Sequence, residues 1–489
     1  MSREDNILTA AIIGAGFSGV AMGIALKRAG IDDFVIFEKS DGISGTWWDN
    51  TYPGAGCDVP SHLYCYSFAP NPDWSHAFSL QGEIRDYVEA TARRFGITGH
   101  VRLNTTITTT RFDESALIWE LRTAAGEVIK ARHVISATGP LRVPNIPAIS
   151  GLDDFKGRCF HSARWPQDMD LDGKSVAMIG SAASAVQIAP AIAGEVGHLH
   201  IFQRTPNYIV PRRQRLYSET QKARWRRFPF LLRLRRAWMA FSRDFFSFRA
   251  FRKNSLLSRM FAHGALHHMH EIIHDESLRA KLTPDYPLGC KRILLSDDYY
   301  QTLLRPNVSL VTDGIERITG DGLRTCTGQD VAADVIILAT GFEATNFLAG
   351  LEVFGRGGAG LHQRFAQRLS AYRGVSYPGF PNFYTILGPN TGLGHSSMIL
   401  IIEAQAGYIL KSIRHAGARA LDVREQAEQR FNAAIARDMQ KMVWASDCQS
   451  WYKAEDGTIP TLWPHSTAAF ARLMAMPAYN DYEAVPPAG

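Results

Sequence analysis

The segment LTAAIIGAGFSG, residues 8–19, reads as an apolar strand that runs through a glycine-rich turn into a helix. Gly14, Gly16 and Gly19 complete the pattern G-x-G-x-x-G. The first glycine permits the tight turn, the second lets the backbone approach a pyrophosphate, and the third lets helix pack on strand. With Ser18 in its first turn, the helix aims its N-terminal amides at the phosphates. A second strand, DFVIFEKS (33–40), ends in Glu38, about 24 residues past Gly14, where an acid can hold a ribose 2′-hydroxyl. Strand, glycines, helix, strand and terminal acid in this order predict a dinucleotide-binding unit.

The layout recurs in KSVAMIGSAASA, residues 174–185. Gly180 opens the turn, Ser181, Ala182, Ala183 and Ser184 carry it, and the next strand, HLHIF (198–202), is followed by Gln203 and Arg204. Arg204 stands about 24 residues past Gly180, in the slot of Glu38. A cation there can pair with a 2′-phosphate, so the second unit is expected to prefer NADP over NAD. The turn reads G-x-A-x-x-A. Ala185 is tolerable where helix and strand lie slightly farther apart, whereas the Ala182 methyl lies where a pyrophosphate should approach, which predicts weakened affinity. Two dinucleotide units in one chain imply two cofactors that exchange electrons, FAD in the first and NADPH in the second.

The rest of the 489 residues fits this frame. With 46% hydrophobic and 20% charged residues the composition is that of an ordinary globular protein. The start MSREDN is no signal peptide and no stretch reaches the apolar length of a membrane span, so a cytoplasmic location is expected. Six scattered cysteines without a C-x-x-C pair are read as reduced thiols rather than a zinc site or redox disulfide. The net charge of +6 is concentrated between Arg204 and Lys253, with RRQR at 212–215 and LRLRR at 232–236, opposed only by Glu219 and Asp244. No nucleic-acid module accompanies this run. Interleaved with Trp225, Phe228, Phe230, Trp238, Phe241 and Phe245, it reads as a solvated helical face, with contact to an anionic membrane surface as the second reading. The histidines of HHMHEIIH (267–274) fall at helical spacing without acid or cysteine partners, so they are read as a helix face and no metal is expected.

The segment FKGRCFHSARWP, residues 155–166, lies just before the second unit. Its pattern F-x-G-x-x-x-H-x-x-x-W-P, carried by Phe155, Gly157, His161, Trp165 and Pro166, resembles the fingerprint of Baeyer–Villiger monooxygenases, within the wider flavin-dependent monooxygenases. The likeness covers nearly the whole chain. SGTWWDNTYPGAGCDVPSHLYCYSF (44–68) is similar to the family's flavin-wrapping segment and implies roles for Thr46, Trp47, Asp58 and Tyr64, with Ile107 and Met398 completing the flavin set. QRTP (203–206) resembles the NADP-phosphate segment, with Arg204 and Thr205. CKR (290–292) resembles the Lys-Arg pair that puts Lys291 toward the 2′-phosphate and Arg292 toward the flavin. ATGF (339–342) and GPNTGLGHSSM (388–398) look like the return to the FAD domain, and SWY (450–452) implies Trp451 near the nicotinamide. Ser44 departs from a common glycine, as Ala182 and Ala185 do.

The implied fold is α/β, with two Rossmann-like dinucleotide-binding domains and a helical insertion in the second. The FAD domain takes residues 1–140 and 335–489, and the NADP domain takes 152–334, with the insertion at about 213–285. The Pro-rich linker PLRVPNIPAISG (140–151) marks one crossing. The implied activity is NADPH- and O2-dependent conversion of ketones to esters or lactones through a C4a-peroxyflavin. A fixed Arg292 cation then stabilises the anionic peroxide and the charge on the attacked ketone, Asp58 orients Arg292, and His161 lies in the segment that couples movement of the NADP domain to the flavin. The rival within the family is oxygenation of sulfides or amines. A disulfide reductase needs a cysteine pair beside the flavin, and Cys57 and Cys65 have the wrong spacing. A non-catalytic scaffold or membrane protein would bind no flavin.

Overall fold

The computed structural model describes residues 7–448, 450–454 and 456–488. Strands β1 (Leu8–Ile13), β2 (Phe34–Phe37), β3 (Val101–Arg102), β4 (Ile107–Asp113), β5 (Ile118–Thr123) and β6 (Val128–Ser136) form the first sheet. It is completed by strands Glu352–Phe354 and Phe383–Thr385. β6, β1, β2 and β3 lie side by side, all parallel. The buried run AAII of β1 is apolar on both faces, as a strand covered by helices on both sides must be. Helix α1 (Phe17–Arg28) follows β1 and packs beneath helix Met398–Ala416. Short α2 (Thr46–Asp49) and longer α3 (Gln81–Arg94) complete this half.

The second sheet is wholly parallel. β7 (Arg158–His161), β8 (Ser175–Ile179) and β9 (His198–Phe202) combine with Val308–Val311 and Val335–Leu338 in the order 308–311, β9, β8, 335–338, β7. Helix α4 (Ala183–Ile192) follows β8. The first sheet adds the antiparallel pairs β4–β5 and β5–β6 to its parallel strands, and the parallel units β1–α1–β2 and β8–α4–β9 make two Rossmann-like domains. Strand Val335–Leu338 lies inside the second sheet, so the chain returns to the first only after Leu338 and not at residue 335. All four of its residues are buried and apolar, which gives no local sign of which sheet they join. The two crossings run side by side. Asn145 N donates to Gly341 O at 2.9 Å and Glu343 N to Val143 O at 2.9 Å, a short two-stranded hinge.

Between β9 and residue 285 lies a helical layer: α5 (Glu219–Arg227), α6 (Pro229–Ser242), α7 (Phe248–Ala250), α8 (Leu256–Ile272) and α9 (Glu276–Leu282). A Ser218–Gln221 capping box starts α5 and a proline in the first turn starts α6. The layer is pinned to the first domain. Arg236 donates to Leu63 O at 2.8 Å, and Asp244 accepts from Thr467 N and Ala468 N at the start of helix Thr467–Ala475. Among the described residues no helix is long and apolar enough to cross a membrane. Cys290 and Cys448 form a disulfide, contrary to the reduced thiols expected, because a pair 158 residues apart leaves no local spacing to read.

Candidate active site

The first turn is a cradle of bare backbone. Gly14 has φ +103°, and a side chain there would meet Ala137 O at 2.7 Å. A Cβ added at Gly16 would lie 3.6 Å from Gly45 Cα, so two glycines face each other at the start of α1. Glu38 is buried at the end of β2 and accepts from Ala15 N at 2.8 Å and Ser40 N at 3.0 Å, which ties the acid to the turn it serves. Thr46 opens α2, and Trp47 Nε1 donates to the Tyr64 hydroxyl at 3.1 Å. Ser44 has φ +109°, which explains why glycine is common there. A side-chain-free turn, a helix N-terminus and a buried acid fit an FAD, which Gly14, Gly16, Ser18, Gly19, Glu38, Thr46 and Trp47 could hold.

The second turn has the same backbone. Gly180 has φ +115°, and Ala182 caps α4 at φ −89°, ψ −158°, close to the −75°, −168° of Gly16. Ala183 and Ser184 open α4, Ser181 is buried with its carbonyl accepting from Asn207 Nδ2 at 3.0 Å, and Ala182 is exposed. Arg204 is exposed just past β9, with half-buried Thr205 beside it. Lys291 lies near enough for the two charges to interact: burial, and then the Arg204 charge, hold its ammonium below the usual lysine range, against the pull of Asp285. Two cations brought together at the end of β9 fit the 2′-phosphate of NADPH.

Asp58 and Arg292 form the floor of a cavity of about 590 Å³ between the domains. Arg292 Nε and Nη2 both donate to Asp58 Oδ2, at 3.0 and 2.5 Å. Burial pushes the Asp58 carboxyl up, and Arg292 outweighs it and holds the group below the usual carboxylate range. The Asp58 charge in turn raises Arg292 above its already high value. Tyr452, Phe251 and Leu288 line the walls, and Met260 and Phe261 of α8 form part of the roof. Arg243 projects into the same cavity from a π-helical turn, Arg243–Ser247, between α6 and α7.

Residues 8–349 match the family profile Flavin-binding monooxygenase-like. A Baeyer-Villiger monooxygenase from Streptomyces coelicolor is 43% identical over 483 residues, 98% of this chain and 93% of that protein. The chain belongs to the Baeyer–Villiger monooxygenase family. The crystal structure of OTEMO in complex with FAD and NADP superposes with a TM-score of 0.88 at 28% identity, covering 98% of this chain and 99% of that one. The ε-caprolactone-bound structure of cyclohexanone monooxygenase superposes with a TM-score of 0.87 at 27% identity, covering 98% and 99%.

Within this Baeyer–Villiger monooxygenase, four residues named from the sequence, His161, Trp451, Ile107 and Met398, do not line the Asp58–Arg292 cavity. His161 ends β7, accepts from Ala163 N through Nδ1 at 3.1 Å and lies 2.9 Å from Gly341 O through Nε2. That fixes the Nε2–H tautomer and engages both nitrogens, so His161 positions the hinge rather than acting as a catalytic acid or base. Trp451 is 44% exposed and faces a second cleft beside Phe342 and Glu343. Its neighbour Tyr452, with its ring centred 4.4 Å from that of Trp451, lines the cavity with Arg292, and burial pushes its hydroxyl up to about 12. Ile107, the first residue of β4, is buried in the core with Ala11 and Phe37. Met398 opens helix Met398–Ala416, half-buried against the α1 core. Tyr452 and Arg243 were missed. Nothing in the sequence marks a π-turn.

Proposed function

We propose that the protein is an FAD-containing, NADPH- and O2-dependent monooxygenase that converts ketones to esters or lactones. The observation that carries the residue assignment is the Asp58–Arg292 pair on the floor of a cavity between the two domains. Bound over the Gly14–Gly19 turn, FAD supplies the relay of electrons from NADPH to O2. Arg292 keeps its positive charge throughout the pH range of a folded protein, since Asp58 stabilises the cation. Once cofactors and substrate displace water from the cavity, that charge stabilises the negative charge developing on a ketone oxygen, an effect worth several kcal/mol in comparable oxyanion sites, about 3–4 for a single donor. Asp58 accepts from two guanidinium nitrogens and so fixes the plane of the fork, which a lysine ammonium would lack. Arg204, Thr205 and Lys291 hold the 2′-phosphate. His161 ties β7 to Gly341, so that the hinge transmits movement of the NADPH domain.

Oxygenation of a sulfide belongs to the same reading as a secondary activity, as does a cytoplasmic site of action, where NADPH is regenerated. The test uses the yellow holoenzyme with NADPH, O2 and a panel of ketones and a thioether. Ester or lactone carrying one atom of O2 is expected. Arg292→Ala should still oxidise NADPH while ester formation falls about 10²–10³-fold. Normal ketone turnover in that variant would remove Arg292 from its role.

A further inference from the structure

We propose that the outward face of α6, with the start of α8, docks this enzyme on an anionic membrane surface, and that apolar ketones enter the cavity from the bilayer. The second clause rests on the ketone reading above; the first does not. Phe230, Leu234, Trp238, Phe241 and Phe245 recur at spacings of four, four, three and four, one stripe of a helix. The stripe faces solvent: Phe230 and Trp238 are each 62% exposed, Leu234 65% and Phe241 54%. Its rings form a continuous ladder, with Trp238 and Phe241 centred 5.9 Å apart and Phe241 and Phe245 5.6 Å apart, ending with the Arg249 guanidinium 3.9 Å above Phe245. Leu256, 71% exposed, and Met260, 58% exposed, extend it on α8. Folding inward is closed to it, since the opposite side of α6 is held by Arg236 to Leu63 O and the following turn by Asp244 to Thr467.

The charge around the stripe selects the occupant. Arg224, Arg227, Arg233, Arg249, Arg252 and Lys253 are exposed. The sole carboxylate from 220 to 253 is Asp244, turned onto Thr467 and His395. A second copy of this chain placed on the same face would bring these cations against their own copies. A nucleic acid duplex would meet the cations and leave the rings in water. An anionic bilayer satisfies both, with lipid headgroups for the cations and the acyl boundary for the rings. Met260 and Phe261, exposed at the start of α8, line the cavity together with Arg243 and Ser247 of the turn that carries Phe245. The cavity therefore opens where the bilayer would lie.

Vesicle flotation with the holoenzyme tests this, using phosphatidylcholine alone and phosphatidylcholine mixed with phosphatidylglycerol. The enzyme should float with the anionic vesicles, and salt should release it. A Trp238→Ser, Phe241→Ser double variant should bind roughly tenfold or more weakly, with its flavin content and its turnover of a small water-soluble ketone unchanged. Arg233→Glu, which spares the rings, should weaken binding at low salt only. In the double variant kcat/KM should fall for a long-chain ketone dissolved in the vesicles. Wild-type enzyme left unbound by both vesicle types would overturn the docking, as would equal binding by the double variant. A dimer in analytical ultracentrifugation that Trp238→Ser splits would instead make the face a self-contact. Docking with equal turnover of the dissolved ketone by both proteins would overturn delivery alone. Docking with no ketone turned over at all would overturn the reaction and leave the surface standing.

Discussion

The two nucleotide turns share a backbone and differ in what is attached to it. Gly14 and Gly180 both have strongly positive φ, and Gly16 and Ala182 cap their helices in nearly the same extended conformation. At the third position they part: a side chain on Gly19 would collide with the Gly14 carbonyl, while Ala185 is fully buried against the core of the second sheet. Beyond the next strand the difference becomes one of charge, a buried carboxylate at Glu38 and an exposed guanidinium at Arg204. One scaffold thus holds two related ligands apart through a methyl and a sign.

The sharpest way to break this comparison is to exchange the third position. Gly19→Ala forces α1 away from β1, and the purified protein should lose most of its flavin, read from the ratio of visible to protein absorbance. Ala185→Gly should leave flavin content intact and lower stability by about 1 kcal/mol, as glycine does inside a helix. Equal flavin loss in both variants would show that the two turns are not packed differently. Charge comes next in size. Arg204→Ala removes one charge-assisted contact, worth about 1.5–3 kcal/mol, so KM for NADPH should rise roughly 10–100-fold while KM for NADH stays level. Parallel changes for both cofactors would take the phosphate away from Arg204.

Lys291 gives the comparison a pH signature. Its ammonium is held below the usual lysine range by burial and then by Arg204, and only the protonated form attracts phosphate. Binding of NADPH is therefore complete below that lowered pKa and declines as pH rises through it, ahead of free lysine. KM for NADPH should climb in this alkaline range, whereas KM for NADH should not. In Arg204→Ala the climb should move to higher pH, because a like charge no longer disfavours the ammonium. A climb that stays in place would mean that the two cations do not sense each other.

What the sequence made legible was whatever depends on neighbours along the chain. Strand, turn and helix of each Rossmann unit follow from apolar runs broken by glycine, and Glu38 and Arg204 follow from counting to the end of the next strand. The Asp58–Arg292 contact joins residues 234 apart, and it was reached through a family resemblance, since no periodicity links the two. The outcomes that escaped are those decided by three-dimensional packing. Val335–Leu338 is apolar on both faces and suits either sheet. The Cys290–Cys448 bond closes a long loop. The partner that engages the second nitrogen of His161 comes from the far crossing at Gly341.

The smallest expected effect isolates the ligand from the fold. Ala182 has negative φ, so its backbone needs no glycine, and its methyl lies exposed at the head of α4. Ala182→Gly therefore relieves no strain, and glycine is a good residue at a helix N-cap, so stability should hold within a few tenths of a kcal/mol. Any gain must come from closer approach of a pyrophosphate to the α4 amides, the approach that Gly16 already permits in the first turn. KM should fall about two- to fivefold, equally for NADPH and NADH, because both carry the same pyrophosphate; a change of that size is under about 1 kcal/mol. A gain confined to NADPH would place the methyl near the 2′-phosphate rather than the pyrophosphate. No gain for either would mean that the second turn holds its ligand farther from the backbone than the first.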